Sequence, residues 1–357
     1  MGPNCIFRVD AAPYMGVGHL ARCLSLARRL SDQGARVAFV CRDFAGAAID
    51  WVEREGFELF RLPPLPAPAN TRDTSSWLAC PADEDALQTL GILQRSGVKV
   101  DWLVVDHYGI GAAWERAAKA ACRRMLVIDD LANRAHDCDL LLDQSLRDGN
   151  PYATKVPESC IVLLGPAYAL LREEFLLARR GCTVRSGEIR RIVVFFGGSD
   201  PTHDTLKTLD ALRSAGAGLQ ADIIVGSMNQ ACDRIEQACL QTPGCDFHVQ
   251  VNDMAERLAR ADLAIGAGGT ASWERLALGL PSIVVQQAEN QRENVTQLAK
   301  CGVVINLGSS DFVDSGHIQV ALTSLRSQPE RLRKMSELAF GLVDATGAEK
   351  VCAAMGH

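Results

Sequence analysis

Short apolar, β-branched runs alternate with amphipathic helical stretches from one end of this chain to the other, and that alternation constrains the fold more than any other feature. Strands covered on both faces read as continuous apolar runs, and helices crossing between parallel strands supply the covers. The pattern predicts an α/β protein of doubly wound type. In the first half the predicted strands are Cys5 to Asp10, Val37 to Arg42, Phe57 to Leu62, Trp102 to Asp106, Met125 to Asp129 and Leu140 to Asp143, with helices opening near His19, Ala45, Asp83 and Gly111. In the second half they are Ile192 to Phe196, Asp222 to Val225, Phe247 to Val251, Leu263 to Gly266, Ser282 to Val285 and Val303 to Leu307. A length of 357 residues suits two domains better than one core. The stretch Gly181 to Glu188 marks the boundary, dividing the chain into 1–180, 189–328 and a closing helical segment, 329–357, expected to pack back on the first domain.

Composition removes several function classes. A net charge of −6 with no lysine or arginine run leaves no electrostatic footprint for nucleic acid. The 13 cysteines form no Cys-x-x-Cys and no zinc spacing, and read as reduced, mostly buried thiols of a cytoplasmic protein. No apolar run approaches a membrane span, so no membrane insertion is expected.

Candidate chemistry begins in the stretch Arg8 to Arg22, a strand end, a glycine-bearing turn and the first turn of a helix. Gly16 and Gly18 allow positive φ and let a ligand approach the backbone, although a Gly-x-Gly turn also serves strand-to-helix packing alone. His19 lies in the first helical turn, where the positive end of the helix dipole disfavours the imidazolium and keeps a proton-accepting ring. Arg22, one turn on, is placed to meet Asp10 or an anionic ligand. Asp106 and Tyr108 follow an apolar strand and so lie at a carboxyl sheet end, where open α/β sheets hold ligands. Asp129 and Asp130 end the next strand, as helix caps or site residues. Prolines 63, 64, 66 and 68 followed by the polar run Asn70 to Ser76 form an exposed excursion.

Two glycine loops follow strands in the second half. In the first, the helix is expected to open at Pro201, so that the amides of Gly198 and Ser199 donate to a phosphate. In the second, Gly268, Gly269, Thr270, Ala271 and Ser272 repeat the sequence of strand, flexible glycines, hydroxyls and helix. Glu274, one turn inside that helix, can accept both hydroxyls of a ribose or simply complement the helix dipole. Asn290 and Gln291 follow the next strand and can hydrogen-bond sugar hydroxyl or acetamido groups. Neither loop carries a Walker lysine, and a diphosphate held by main-chain amides needs no metal. No metal site and no cofactor are expected. Asp137 and Asp139 flank Cys138 before a strand and read as turn residues.

Gly-Ala-Gly-Gly-Thr at 266–270, Glu274 and Asn290-Gln291, behind the loop at Gly16 to His19, resemble the GT-B nucleotide-sugar glycosyltransferases, including the lipid-linked N-acetylglucosaminyltransferase of peptidoglycan synthesis. Arg8-Val-Asp, Gly16-Val-Gly-His-Leu-Ala-Arg22, Asp106-His-Tyr-Gly-Ile110 and Gly165-Pro-Ala-Tyr-Ala-Leu-Leu-Arg-Glu-Glu-Phe175 more closely resemble the UDP-2,4-diacetamido-2,4,6-trideoxy-β-L-altropyranose hydrolases of pseudaminic acid biosynthesis. The resemblance implies a GT-B fold, two Rossmann-like domains with a UDP-sugar in the cleft between them. It also implies His19 as the base activating water, Tyr108 and Asn290 on the sugar or the water, Glu274 on the ribose and Gly268 to Ser272 on the diphosphate. A glycosyltransferase and a non-catalytic UDP-sugar-binding protein are the alternatives. The proline-rich excursion is longer than a compact member of that family needs.

Overall fold

The computed structural model describes residues 2–71, 73–216 and 218–356; Met1, Arg72 of the polar run, Ala217 and His357 lie outside the described residues. The chain divides into unit 1, Met1–Arg172 with Thr346–His357, and unit 2, Glu173–Ala345.

Unit 1 is built on seven parallel strands: β1 (Asn4–Val9), β2 (Arg36–Arg42), β3 (Glu58–Leu62), β4 (Val100–Asp106), β5 (Cys122–Ile128), β6 (Leu140–Asp143) and β7 (Ile161–Leu164). Their order is β3-β2-β1-β4-β5-β6-β7. Helices α1 (Gly18–Asp32), α2 (Asp50–Arg54), α3 (Ala82–Ser96) and α4 (Ala112–Ala118) make the crossovers. Alternation along β1 sorts the two covers. Cys5, Phe7 and Val9 pack with Leu20, Cys23 and Leu26 of α1, while Ile6 packs with Ala86 of α3 and Trp114 of α4 on the other face. Arg8 shares the face of Ile6. Val9 is paired with Asp106, so Asp106 at the end of β4 shares the α1 face.

Unit 2 opens with α5 (Glu173–Arg179), then alternates β8 (Arg191–Phe195), α6 (Asp204–Ser214), β9 (Gln220–Val225), α7 (Cys232–Leu240), β10 (Cys245–Val249), α8 (Met254–Arg260), β11 (Leu263–Ala267), α9 (Ala271–Ala277), β12 (Ser282–Gln286), α10 (Arg292–Lys300) and β13 (Val304–Ser309). The six strands are parallel, in the order β10-β9-β8-β11-β12-β13, and are followed by α11 (Ser315–Arg326) and α12 (Pro329–Leu342). The chain then returns to unit 1 as α13 (Gly347–Met355). Among the described residues no helix is long and apolar enough to cross a membrane.

Several expectations need adjusting. The division falls after Arg172 rather than at Gly181 to Glu188, because α5 packs on α8 and α9, and Arg179 donates to the carbonyls of Ala277 and Phe340. The closing segment 329–357 is split: α12 packs on α9 and α11, and only α13 joins unit 1, burying Val351, Cys352 and Met355 in the α1 core. The strand β7 was not expected; it is a four-residue edge strand with Ile161 55% exposed, so its apolar run carries no clear burial pattern. The helix predicted from Pro201 starts at Asp204, since Asp200 and His203 take positive φ and break the turn before it.

Candidate active site

The carboxyl end of β1 leads into a loop in which Gly16 takes a φ of +75°, and α1 starts at Gly18. His19 is therefore the second helical residue, as its position in the first turn implied. Its Nδ1 lies 2.6 Å from Asp106 Oδ1. An ionised carboxylate at this distance accepts from Nδ1–H, so the neutral ring has its acceptor at Nε2; Arg22 Nη2 lies 3.2 Å from the same Nδ1. The carboxylate therefore orients the ring, beyond the helix dipole considered from sequence alone. Arg22 does not meet Asp10. It forks onto Asp106, with Nε 2.6 Å from Oδ2 and Nη2 2.7 Å from Oδ1, and its Nη1 reaches Asp130 Oδ2 at 2.7 Å. The parity of β1 explains the difference, because Arg8 and its partner Asp10 face α3 while α1 lies over the opposite face. Burial alone raises the Asp106 carboxyl, but Arg22 and then His19 outweigh it and hold it well below the usual carboxylate range.

Tyr108 stands edge-on to His19, with ring centroids 4.4 Å apart, and donates its hydroxyl to Asp130 Oδ1 at 2.5 Å. Burial and then the Asp130 charge push the phenol well above its ordinary value, so it stays protonated. Trp77 completes this corner. Its ring centroid lies 5.4 Å from that of Tyr108 and 6.2 Å from that of His19, and its indole N–H donates to Thr71 O at 2.8 Å. The proline-rich excursion thus ends in a short helical turn, Thr74–Leu78, capped by Asp73, that delivers an aromatic wall to the His19 corner. Trp77 was not singled out from the sequence, where a tryptophan just past the polar run was its only signal, and Asp130 was offered only as a helix cap or a site residue, with nothing local to mark it as a partner of Tyr108.

Behind this corner, on the other face of β1, Arg8 bridges Asp10 (2.5 Å) and Asp85 (2.7 Å), and Arg42 also reaches Asp85 at 2.6 Å. Trp114 donates its indole N–H to Asp85 Oδ1 at 2.9 Å. Each of these buried charges is paired with an opposite one, the condition under which such a cluster is tolerated, although Asp10 Oδ2 and Arg42 Nε make no hydrogen bond among the described residues. His107 accepts from the Gly109 amide at Nδ1, and burial, opposed by Asp10, pulls its ring down to about 4. It is a neutral packing histidine beneath the loop. A second histidine, His136, is held between Glu115 (2.6 Å) and Asp129 (3.7 Å). Burial opposes its charge, yet the Asp129 and Glu115 carboxylates lift it to about 9.

In unit 2 the first glycine loop does not offer a helix N-terminus to a phosphate. The Asp200 carboxylate already occupies it, accepting from the Asp204 and Thr205 amides at 3.0 Å each. Gly198 and Ser199 precede that helix by several residues, and the Gly198 backbone packs so closely on Gly226 that a Cβ added at 226 would come within 2.5 Å of the Gly198 Cα. The second loop fits its expectation better. Thr270 and the amides opening α9 follow β11 directly, and the Thr270 side chain makes no capping bond. Gly268 is buried and its amide donates to Gln291 Oε1 at 3.2 Å. The same oxygen accepts from the Gln287 amide at 3.1 Å, so Gln291 holds the loop backbone from beneath. Ser272 is also buried, and its hydroxyl accepts from Arg275 at 2.9 Å. Gly269, Thr270 and Ala271 are partly exposed, as are Glu274 on α9 and Asn290 in the turn before α10. Arg275, buried under the loop and bonded to Ala267 O at 2.7 Å, adds a positive charge that spacing did not single out.

Residues 192–351 match the glycosyltransferase family 28 C-terminal domain. A UDP-2,4-diacetamido-2,4,6-trideoxy-β-L-altropyranose hydrolase of Campylobacter jejuni is 23% identical over 83% of this chain and 96% of its own length. An uncharacterised protein of Methanocaldococcus jannaschii is 24% identical over 80% of this chain, and a spore coat polysaccharide biosynthesis protein of Bacillus subtilis is 31% identical over 53% of it. The chain spans only 56% of the length of each of these two relatives. Among solved structures, MurG of Acinetobacter baumannii superposes with a TM-score of 0.65 over 99% of both chains at 13% identity. The chain thus has the GT-B fold of two Rossmann-like units, with the match to the glycosyltransferase family 28 C-terminal domain lying over residues 192–351.

Proposed function

We propose that this protein removes UDP from UDP-2,4-diacetamido-2,4,6-trideoxy-β-L-altropyranose by attack of water at the anomeric carbon, with inversion, without a metal, in pseudaminic acid biosynthesis. The observation that carries the reading is the His19–Asp106 pair, an imidazole whose Nδ1 is 2.6 Å from a buried carboxylate and whose Nε2 is left as acceptor. Nε2 takes a proton from water as the bond from C1 to the diphosphate oxygen breaks. UDP is a good leaving group, so one base and an electrostatic cradle replace the carboxylate pair of ordinary glycoside hydrolysis. The amides of Gly269, Thr270 and Ala271 serve the diphosphate, with Gly268 shaping the loop. Glu274 serves the ribose, and Tyr108 and Asn290 serve the sugar or the water. Arg22 and Asp106 act by orienting His19 rather than by touching the ligand, and Gln291 and Ser272 by holding the loop. The 23% identity to the Campylobacter hydrolase over 83% of the chain supports the choice of substrate.

A second reading, a glycosyltransferase using a UDP-N-acetyl sugar, is favoured by the family 28 domain at residues 192–351. Release of UDP from the UDP-linked diacetamido sugar, without acceptor or added metal and in ¹⁸O-enriched water, separates the two. Hydrolysis predicts UDP release with label on the anomeric oxygen. Label on phosphate means attack at phosphorus, and release only on adding an acceptor means transfer.

A further inference from the structure

We infer that Asp130 is a positioning residue that fixes the direction of the Tyr108 hydroxyl, turning its proton away so that the phenolic oxygen meets the attacking water as a hydrogen-bond acceptor. The inference rests on the hydrolytic reading above and adds to it a specific role for Asp130, which the sequence offered only as a helix cap or a site residue.

Asp130 Oδ1 takes the Tyr108 hydroxyl at 2.5 Å, and Oδ2 takes Arg22 Nη1 at 2.7 Å. Arg22 in turn is forked on Asp106, which takes His19 Nδ1. A phenol has one proton and two lone pairs. With that proton committed to a carboxylate, Tyr108 presents only lone pairs elsewhere. His19 is fixed by the same logic, its Nδ1 proton on Asp106 and its Nε2 bare. Two carboxylates joined through one guanidinium therefore set both neighbouring rings, which meet edge-on at 4.4 Å, as acceptors.

Water has two protons to offer such a pair. One is held by Tyr108 Oη and the other by His19 Nε2, which leaves an oxygen lone pair for carbon. In the reaction the O–H bond facing His19 breaks, and oxygen forms its bond to C1. The C1–O bond to the diphosphate breaks with its electron pair going to UDP. The proton ends on His19 Nε2 and Tyr108 keeps its own, so Tyr108 is not the acid for the leaving group.

The test measures kcat and KM for UDP release by the wild type, Tyr108→Phe, Asp130→Ala, Asp130→Asn and the Tyr108→Phe/Asp130→Ala pair. Asp130→Ala is expected to lower kcat by about 10²-fold, the cost of misplacing a reacting group, with KM within about threefold. The pair is expected to stay within about threefold of Tyr108→Phe, because both changes remove the same oriented acceptor. Asp130→Asn keeps an oxygen for the Tyr108 proton and is expected to recover most of the turnover lost in Asp130→Ala. Wild-type kcat in Asp130→Ala, losses that multiply in the pair, or an Asp130→Asn as slow as Asp130→Ala would each overturn the inference, the last by assigning Asp130 to the charge of Arg22. Should Asp130→Ala not fold, Asp130→Ser, whose hydroxyl is too short to reach Tyr108, replaces it. A wild type that releases no UDP refutes the hydrolytic reading itself, whereas an active wild type with an unaffected Asp130→Ala refutes only the inference.

Discussion

Replacing Asp106 by asparagine changes one oxygen to an amide and removes one charge, and the structure sets what that does. All the strong partners of Asp106 are donors: His19 Nδ1 at 2.6 Å, Arg22 Nε at 2.6 Å and Arg22 Nη2 at 2.7 Å. An asparagine has only one acceptor oxygen, and its amide meets an Arg22 N–H in either orientation, Nη2 at the Oδ1 position shared with His19 or Nε at the Oδ2 position. The fork that clamps this side chain opens, and the charged acceptor that holds the proton on His19 Nδ1 is gone. The tautomer of the base is then no longer fixed. The expected loss in kcat is about 10³- to 10⁴-fold, or roughly 4 to 5.5 kcal/mol of transition-state stabilisation, with KM nearly unchanged. Unpairing one side of a buried guanidinium costs about 3 kcal/mol, moderated here because Asp130 still holds Arg22. In a unit of this size that corresponds to a melting-temperature loss of about 6–12 °C. Steady-state UDP release and thermal melting by circular dichroism measure the two separately. A folded Asp106→Asn protein with kcat within threefold of wild type would show that this carboxylate does not set the tautomer of the base.

Three further outcomes are expected. His19→Ala should lose about 10²- to 10⁴-fold in turnover while UDP binding, measured by calorimetry, stays within about threefold; near-normal turnover excludes His19 as the base. Gly268→Ala places a Cβ 2.2 Å from Val295 Cγ2 and 3.4 Å from Gln291 Oε1, so the loop must shift and UDP affinity should fall tenfold or more. Unchanged affinity in the folded variant removes this loop from the UDP site. His136 is raised in the fold to about 9 from its ordinary 6.5, so the stability it contributes is fully present below about 6.5 and is lost as pH rises through about 9. The melting temperature should fall across that window in the wild type and not in His136→Gln, and identical pH profiles for the two proteins exclude the Glu115–His136–Asp129 cluster as the cause.

The fold was legible because its signal is repetitive. Every strand carrying a continuous apolar run, β11 and β12 above all, was placed within a few residues, while β7, four residues on a sheet edge with Ile161 exposed, had no burial to imprint on its sequence. Within the site, local geometry was readable and long-range pairing was not. His19 near the start of α1 follows from the glycine turn. That Arg22 turns to Asp106, 84 residues away, rather than to Asp10 follows only from which face of β1 α1 covers, and the parity of β1 set against the position of the crossover helix decides it. The α6 terminus was misjudged for a related reason, because Asp200 supplies the anion that a ligand was expected to bring. Trp77 lay in a stretch whose prolines spoke only of an excursion, and its ring contacts depend on tertiary closure.

The return of α13 to unit 1 has a consequence for biosynthesis. Unit 2 is one continuous stretch, Glu173–Ala345, and can assemble as it leaves the ribosome, but unit 1 lacks α13 until the segment after Ala345 has been made. Until then the α1 surface that receives Val351, Cys352 and Met355 is uncovered. The half that is synthesised first is therefore finished last, and the nascent chain carries an apolar groove on unit 1 throughout the translation of unit 2.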